Sequence, residues 1–340
     1  MNRTSETAKA RRSRSLIGLR VLRVFVVSLV VATVPASAFA GDRYALLVSG
    51  ASGGLDFATR FKLWRSSIAS VLRVRFGYAD DHLVELAEHE QGAIRKATRD
   101  NVRAVLGDLR RKVAKDDVLL IMLIGHGTAT DADDAKFNLV GPDLTAGEWA
   151  DLLRPIAGRV IFIDAASGSY PFLQKLAKPG RVVVTAADAL GQQTETVFPE
   201  FLLSALIAVE ADSDKNGKIS IWEAFFYASR QVRDWFEQQG QLPSERPLLD
   251  DTGNGIGREA GAPGSDGALA QATYIDVDRQ AEGAGSGESA AILKRRAELE
   301  AQMEQLRSRK ADMPPDQYDA ALEKLLLELA QIDRQLRSKS

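Results

Sequence analysis

The chain of 340 residues contains no cysteine, and that absence excludes several kinds of chemistry together. Without a thiol there are no disulfides, no thiolate metal sites and no cysteine nucleophile. Histidine is nearly as scarce, with three residues in the whole chain. His82 and His89 flank a short apolar segment with no third ligand at their spacing. We therefore interpret both as surface or edge residues.

Two familiar binding motifs and a long apolar run are also missing. The Gly/Ser-rich stretch 49–54 lacks the Lys-Ser/Thr pair of a P-loop and the G-x-G-x-x-G spacing of a dinucleotide site. This argues against a nucleotide-binding protein. The apolar run near the N-terminus, residues 24–34, is shorter than the ~20 residues that a membrane-spanning helix needs.

That apolar run fits a targeting segment instead. A basic region with arginines at 11, 12, 14, 20 and 23 precedes it, and the A-x-A motif Ala38-Phe39-Ala40 follows it. This order is typical of a secretory signal peptide. We predict a signal peptide over 1–40, cleavage after Ala40, and a periplasmic or secreted protein with no membrane association after cleavage. The alternative is an uncleaved signal anchor.

Cleavage would make the chain distinctly acidic. Residues 1–40 hold seven of the 44 Lys and Arg and one of the 46 Asp and Glu, so the remaining chain would carry a net charge of −8. Nucleic-acid-binding proteins depend on basic surfaces. The charge therefore argues against a nucleic-acid partner.

Two apolar strands, each followed by a loop of small residues, indicate where a functional site would lie. Residues 118–124 form a wholly apolar run that ends in Gly125-His126-Gly127, and residues 159–163 lead into the loop Asp164–Tyr170. Strands alternate with amphipathic helices before and after both runs, which predicts an α/β fold with a mostly parallel sheet between helical layers. Ligands gather at the carboxyl ends of such strands, so we expect His126 to lie near the second loop.

Three stretches together resemble the caspase/legumain-like hemoglobinase-fold cysteine peptidases, and in particular a bacterial, exported, legumain-related branch. They are ATRDNVRAVLGDL before the strand that ends at His126, IDAASGS at 163–169, and TAADALGQQTE at 185–195. The resemblance covers about residues 43–278. It implies a caspase-hemoglobinase-like three-layer sandwich over 41–278, with His126 as the catalytic base and the nucleophile two residues after Asp164.

The resemblance also implies a lost activity. Ala166 stands at the nucleophile position, and covalent catalysis needs a thiolate or an activated hydroxyl. We therefore predict a pseudo-peptidase that acts as a binding or scaffold protein, with His126 as a relict base. An active hydrolase remains an alternative, in which Ser167 or Ser169 is the nucleophile and Asp164 orients His126. Serines after a strand are also common in turns and helix caps.

Residues 212–223, DSDKNGKISIWE, match a twelve-residue EF-hand-type calcium loop. Apolar helical patterns precede and follow it, over 198–209 and 221–235, which predicts a helix-loop-helix inserted in the main domain. We predict that the loop binds Ca²⁺. The expected ligands, at positions 1, 3, 5, 7, 9 and 12, are Asp212, Asp214, Asn216, the carbonyl of Lys218, Ser220 and Glu223.

A second acidic stretch, LLDDTGNGIG at 248–257, resembles half of such a loop without its closing glutamate. We interpret Asp250–Gly257 first as a turn and second as a weak cation site. Residues 272–277 then predict a closing edge strand of the sheet.

The last part of the chain has a different organisation. Residues 279–288 are Gly-, Ser- and Ala-rich, as expected for a linker, and 289–340 predict a helical hairpin or coiled coil. Its second helix has a heptad seam of Tyr318, Leu322, Leu325, Leu329, Ile332 and Leu336. The hairpin would either self-associate, dock on an unidentified protein or peptide partner, or form a surface appendage. A third hypothesis for function is therefore a structural assembly module.

Overall fold

The computed structural model describes residues 41–192 and 195–277, together with scattered positions between 295 and 332. All of these belong to one unit, Ser37–Ser340. The predicted signal peptide, the predicted linker and part of the predicted hairpin lie outside the described residues. No helix in the described part of the chain is both long enough and apolar enough to cross a membrane.

A seven-stranded sheet forms the centre of the fold, and its strands run in the order β10-β9-β8-β4-β1-β2-β3. All neighbouring pairs are parallel except β9 and β10, which are antiparallel. The strands that the structure describes are β1 (Arg43–Ser49), β2 (Leu83–Ala87), β3 (Arg95–Lys96), β4 (Val118–Ile124), β5 (Gly127–Thr128), β6 (Lys136–Phe137), β7 (Leu144–Thr145), β8 (Arg159–Asp164), β9 (Val182–Thr185) and β10 (Leu248–Asp250).

Helices cover both faces of this sheet, which gives three layers. The apolar residues of α1, α5 and α6 pack on one face, and those of α2, α3 and α4 pack on the other. The predicted α/β class with a mostly parallel sheet is confirmed. The described helices are α1 (Leu55–Val74), α2 (Arg99–Lys112), α3 (Ala146–Leu153), α4 (Tyr170–Leu176), α5 (Phe198–Ala205), α6 (Ile221–Gln238) and α7 (Ala268–Gln271).

β4 is central because both of its faces are buried. All seven of its side chains are at most 2% exposed. Leu120 and Met122 join the cluster beneath α1, α5 and α6, whereas Leu119 and Ile121 join the cluster beneath α2, α3 and α4. Burial of each such side chain contributes about 1.5–3 kcal/mol, so the continuous apolar run that predicted this strand also fixes its place in the sheet.

A buried ion pair fastens α1 to β2. Arg65 on α1 is 3% exposed, and its Nη1 donates to Oε2 of Glu85 on β2, which is 9% exposed. Nη2 of Arg73, two turns further along α1, donates to the other oxygen of Glu85 at 3.1 Å. Glu85 therefore joins two cations of one helix to the strand beneath it.

The edge of the sheet differs from the sequence prediction. β10 closes the sheet, whereas residues 272–277 do not join it. That segment instead forms an antiparallel bridge between Tyr274 and Ser220 of the predicted calcium loop. A second small sheet, β5-β6-β7, occupies the region after His126 that reads as a polar loop in the sequence. Its strands have two residues each, too few to show a period.

Candidate functional site

The loops that follow β4 and β8 touch each other, as the sequence predicted. The backbone N–H of Gly127 lies 3.3 Å from Oγ of Ser167, and that hydroxyl lies 3.4 Å from the carbonyl oxygen of Gly127. A Cβ at position 127 would lie 2.2 Å from the carbonyl oxygen of Ser167. Glycine is therefore required for the two loops to meet.

His126 sits on the α1 side of this junction. Its Nε2 lies 3.2 Å from the carbonyl oxygen of Ser52 in the loop after β1. A carbonyl oxygen only accepts, so Nε2 is the donor in this contact. The ring meets Phe57 and Phe61 of α1 edge to face, with centroids 4.6 and 5.1 Å away. Three contacts thus hold a half-buried histidine in one orientation.

The predicted nucleophile position faces a different part of the fold. Ala166 is completely buried in the cluster beneath α2, α3 and α4, whereas Phe61, which contacts His126, belongs to the cluster on the other face of the sheet. The structure brings the loops of His126 and Ala166 together but packs their side chains on opposite sides of the sheet.

The two candidate serines are occupied by backbone groups. Ser167 is 1% exposed and its hydroxyl contacts the N–H and carbonyl of Gly127. Ser169 is fully buried, and its Oγ accepts the N–H of Ala187 at 3.1 Å. Among the described residues neither hydroxyl is hydrogen-bonded to His126. Both serines hold loop geometry, which is the alternative role that their position after a strand predicted.

Asp164, the candidate orienting group, is also directed elsewhere. Its Oδ1 accepts the N–H of Ala166 at 3.1 Å, and its Oδ2 has no hydrogen-bond partner in the part of the chain that the structure describes. Burial raises the pKa of Asp164 to about 8. The carboxyl group is therefore mostly protonated at pH 7, and a neutral acid does not stabilise an imidazolium as a carboxylate does.

One polar residue beside these loops was not singled out from the sequence. Gln192 is 8% exposed, and among the described residues neither polar atom of its side chain has a hydrogen-bond partner. The backbone carbonyl oxygen of Gln192 accepts the N–H of Gly168 at 2.9 Å. Oγ1 of Thr196 donates to the backbone carbonyl oxygen of Ala165 at 2.6 Å. The loop after β9 therefore lies against the loop after β8. The resemblance includes this loop, within 185–195, but gave no reason to choose Gln192.

Three acidic side chains of the predicted calcium loop converge. One carboxylate oxygen each from Asp212, Asp214 and Glu223 lies within 4.8 Å of the others, which is close enough to hold one metal ion. Burial, with added repulsion from Glu223 and Asp212, raises the pKa of Asp214 to about 6. The loop thus gathers negative charge that a bound cation would balance.

Hydrogen bonds within the loop position these acids. Gly217 N donates to Oδ2 of Asp212 at 2.8 Å, and Ser213 N donates to Oε1 of Glu223 at 2.9 Å. Ser220 caps α6 by accepting the N–H of Glu223, and its own N–H donates to Oε2 of Glu223. Glu223, which is buried, therefore connects the loop to the first turn of the helix.

The other two predicted ligands, Asn216 and Lys218, direct their side chains to other groups of the structure. Oδ1 of Asn216 accepts the N–H of Lys218 at 2.8 Å. Nδ2 of Asn216 donates to Asp214 and to the hydroxyl of Tyr274. The ammonium of Lys218 lies 5.5 Å from the centre of the Tyr274 ring, so its side chain points to that ring. Only its carbonyl remains as a candidate ligand.

The second acidic stretch forms a turn. Oδ1 of Asp250 accepts the backbone N–H groups of Thr252 and Gly253, and Oδ2 accepts that of Gly255. The carboxylate is 1% exposed and already bound by backbone donors. This geometry favours the turn interpretation of 250–257 over a cation site.

Comparisons with known proteins assign no family. No family model matches the chain, and no curated protein matches it at the significance threshold. Among solved structures 104 chains match. One is protein GSU0716 from Geobacter sulfurreducens, which has 15% sequence identity and a TM-score of 0.41 over 62% of this chain and 92% of that chain. A likeness of that degree carries no inference about function.

Proposed function

We propose that this protein binds Ca²⁺ through the loop 212–223 and acts as a non-catalytic binding protein on a caspase/legumain-like fold. The observation that carries the proposal is the convergence of three carboxylates, from Asp212, Asp214 and Glu223, within 4.8 Å. Ca²⁺ prefers such hard oxygen ligands and accepts six to eight of them in flexible geometry. The donor set therefore fits this ion.

The backbone supports the same assignment. Gly217, at position 6, has φ +80°, and Lys215, at position 4, has φ +59°. Left-handed backbone conformations are rare for residues other than glycine, so the conformation of Lys215 must be stabilised by the rest of the loop. The turn brings positions 1, 3 and 12 onto one centre, which a calcium loop requires.

Residues 273–276 lie beside the loop and form hydrogen bonds with it. Ile275 N donates to the carbonyl oxygen of Ile219 at 2.9 Å, and Ile219 N donates to Oδ2 of Asp276 at 3.0 Å. Ile221 N donates to the carbonyl oxygen of Thr273. This single loop is thus braced by its own domain, which favours a structural ion over a sensor.

Thermal unfolding with and without Ca²⁺ tests this site. A ligand that binds only the folded state stabilises it by about 2.7 kcal/mol at 100 times its Kd. The melting temperature of the chain 41–340 should rise with Ca²⁺, and the rise should vanish in Asp212→Ala/Glu223→Ala. An unchanged melting temperature in the parent protein would refute the assignment.

The non-catalytic part of the proposal rests on what surrounds His126. Its Nδ1 has no described nucleophile beside it, Ala166 has no reactive group, and Ser167 and Ser169 hold backbone contacts. We propose that the loops at the ends of β1, β4 and β8 bind a partner instead. The expected ligand is a peptide or protein segment.

A serine-reactive fluorophosphonate probe separates this proposal from an active serine hydrolase. We expect no labelling of the purified protein, with or without Ca²⁺. Labelling that disappears in His126→Ala and in either Ser167→Ala or Ser169→Ala would instead establish a working hydrolase. A known serine hydrolase in the same reaction serves as the positive control.

One contact supports the predicted C-terminal hairpin, through which we propose assembly as a second function. Nη2 of Arg295 donates to Oε2 of Glu328 at 2.8 Å, and Leu299 is fully buried. These described positions are helical, as the hairpin requires. Deletion of 289–340 tests it: if the mass in solution is unchanged, the hairpin is not a self-association device.

A further inference from the structure

A basic groove lies at the opposite end of the sheet from His126. It has a volume of about 270 Å³ and lies where β8 and β9 begin. It is lined by residues 156–160 before and within β8, residues 178–181 before β9, and Lys115 before β4. Of the described residues, four with cationic side chains line it and none with an acidic one: Lys115, Arg159, Lys178 and Arg181.

Arg181 places a buried charge at this groove. It is 6% exposed, and its Nη1 and Nη2 donate to the carbonyl oxygens of Leu176 and Leu153 at 2.9 and 3.3 Å. Its Nε is buried without a hydrogen-bond partner, and no described carboxylate pairs with the guanidinium. A buried charge without an opposite charge is costly, because it loses hydration and gains no ion pair.

Two lysines at the groove add positive charge that no described carboxylate pairs with. Lys115 and Lys178 are exposed, and neither forms an ion pair with a described residue. Asp117 lies at the same end of the sheet, but its carboxylate accepts the backbone N–H groups of Asp42 and Ala114, at 2.8 and 2.7 Å. The local excess of positive charge stands out in a chain whose net charge is −8 without residues 1–40.

We propose that this groove binds a phosphoryl group, as inorganic phosphate or as part of a small phosphorylated molecule. Several cations from three separate segments surround one cavity, and a multiply charged oxyanion accepts from several donors at once. The bound anion would supply the opposite charge that Arg181 lacks. This site is independent of the calcium loop and of the loops around His126.

Isothermal titration calorimetry with pyrophosphate tests the proposal. The chain 41–340 is titrated at constant ionic strength with EDTA present, so that bound calcium does not contribute. The variant is Lys115→Gln/Lys178→Gln, because both lysines are exposed and their loss leaves the Arg181 contacts intact. The matched control is Lys62→Gln/Lys96→Gln, which removes two exposed lysines elsewhere.

We expect saturable binding of about one pyrophosphate per chain, about tenfold weaker in the Lys115/Lys178 variant and unchanged in the control. Inorganic phosphate should compete for the same site. Equal affinity in all three proteins would overturn the proposal, since the binding would then be elsewhere. So would the absence of saturable binding up to about 10 mM, where affinities are too weak to be specific.

Discussion

The side chain of His126 donates its Nε2–H to the carbonyl oxygen of Ser52, 3.2 Å away, and thereby joins the loop after β4 to the loop after β1. The ring also packs edge to face on Phe57 and Phe61. A histidine with these contacts contributes to stability whether or not it ever acted as a base. Its role in the present protein is therefore measurable without a substrate.

His126→Ala should lower the free energy of unfolding by about 1–3 kcal/mol, because a hydrogen bond and two aromatic contacts are lost. Urea denaturation measures this. His89→Ala is the matched control, since His89 is exposed and should change stability by less than about 0.5 kcal/mol. Equal unfolding free energies for the two variants would show that the contacts of His126 do not stabilise the fold.

Ala166→Cys tests how the nucleophile position is packed. The chain has no cysteine, so the new thiol would be the single one that a thiol reagent can detect. Position 166 is completely buried, so reaction with Ellman's reagent should be roughly a hundredfold slower than at Leu55→Cys, where the native side chain is 88% exposed. A fast reaction that depends on His126 would contradict the packing and place the two side chains face to face.

Glu85→Ala should destabilise the fold by about 3–5 kcal/mol, because it leaves the buried guanidinium of Arg65 without its carboxylate. Asp108→Ala is the control, since Asp108 pairs with Arg111 at the surface, and such pairs contribute at most about 1 kcal/mol. Urea denaturation gives both values. If both variants lost a similar, small amount of unfolding free energy, the Arg65 guanidinium would have to be accessible to water.

Asp164→Asn should flatten the dependence of stability on pH. The pKa of Asp164 is about 8 in the folded protein, above its value in the unfolded chain. Its stabilising effect is therefore fully present at low pH and is lost as pH rises toward 8, by up to about 1.4 kcal/mol per pH unit. Asn keeps the acceptor for Ala166 N but cannot titrate, so that slope should disappear.

Unfolding free energies at pH 5, 6, 7 and 8 measure this slope in parent and variant. Glu245 is a second buried acid whose pKa burial raises to about 8, so part of the pH dependence should persist in Asp164→Asn. Glu90→Gln, at an exposed position, is the control. Parallel curves for parent and Asp164→Asn would show that Asp164 is ionised in the fold.

Features encoded in contiguous residues were predictable from the sequence. The apolar run of β4 predicted a strand, and the structure shows that this strand is buried on both faces. The spacing of Asp212, Asp214 and Glu223 predicted their convergence. In each case the signal and the structure lie in the same short segment.

Features assembled from distant segments were not predictable. Residues 272–277 have a strand-like pattern, but they pair with the loop 212–223, and β10 forms the edge of the sheet. The basic groove combines Lys115 with two loops more than 40 residues away, so no local sequence pattern predicts it. The neutral state of Asp164 depends on burial by the whole fold.

Calcium titration calorimetry on the chain 41–340 tests the central claim most directly. Glu223→Gln is the informative variant, because Gln keeps the capping box of α6 but removes the charge at position 12. Glu237→Gln, exposed at the far end of the same helix, is the control. We predict one Ca²⁺ per chain with a Kd of about 10⁻⁴–10⁻³ M, unchanged in Glu237→Gln and lost in Glu223→Gln. Absence of calcium binding by the parent protein, or equal binding by Glu223→Gln, would contradict it.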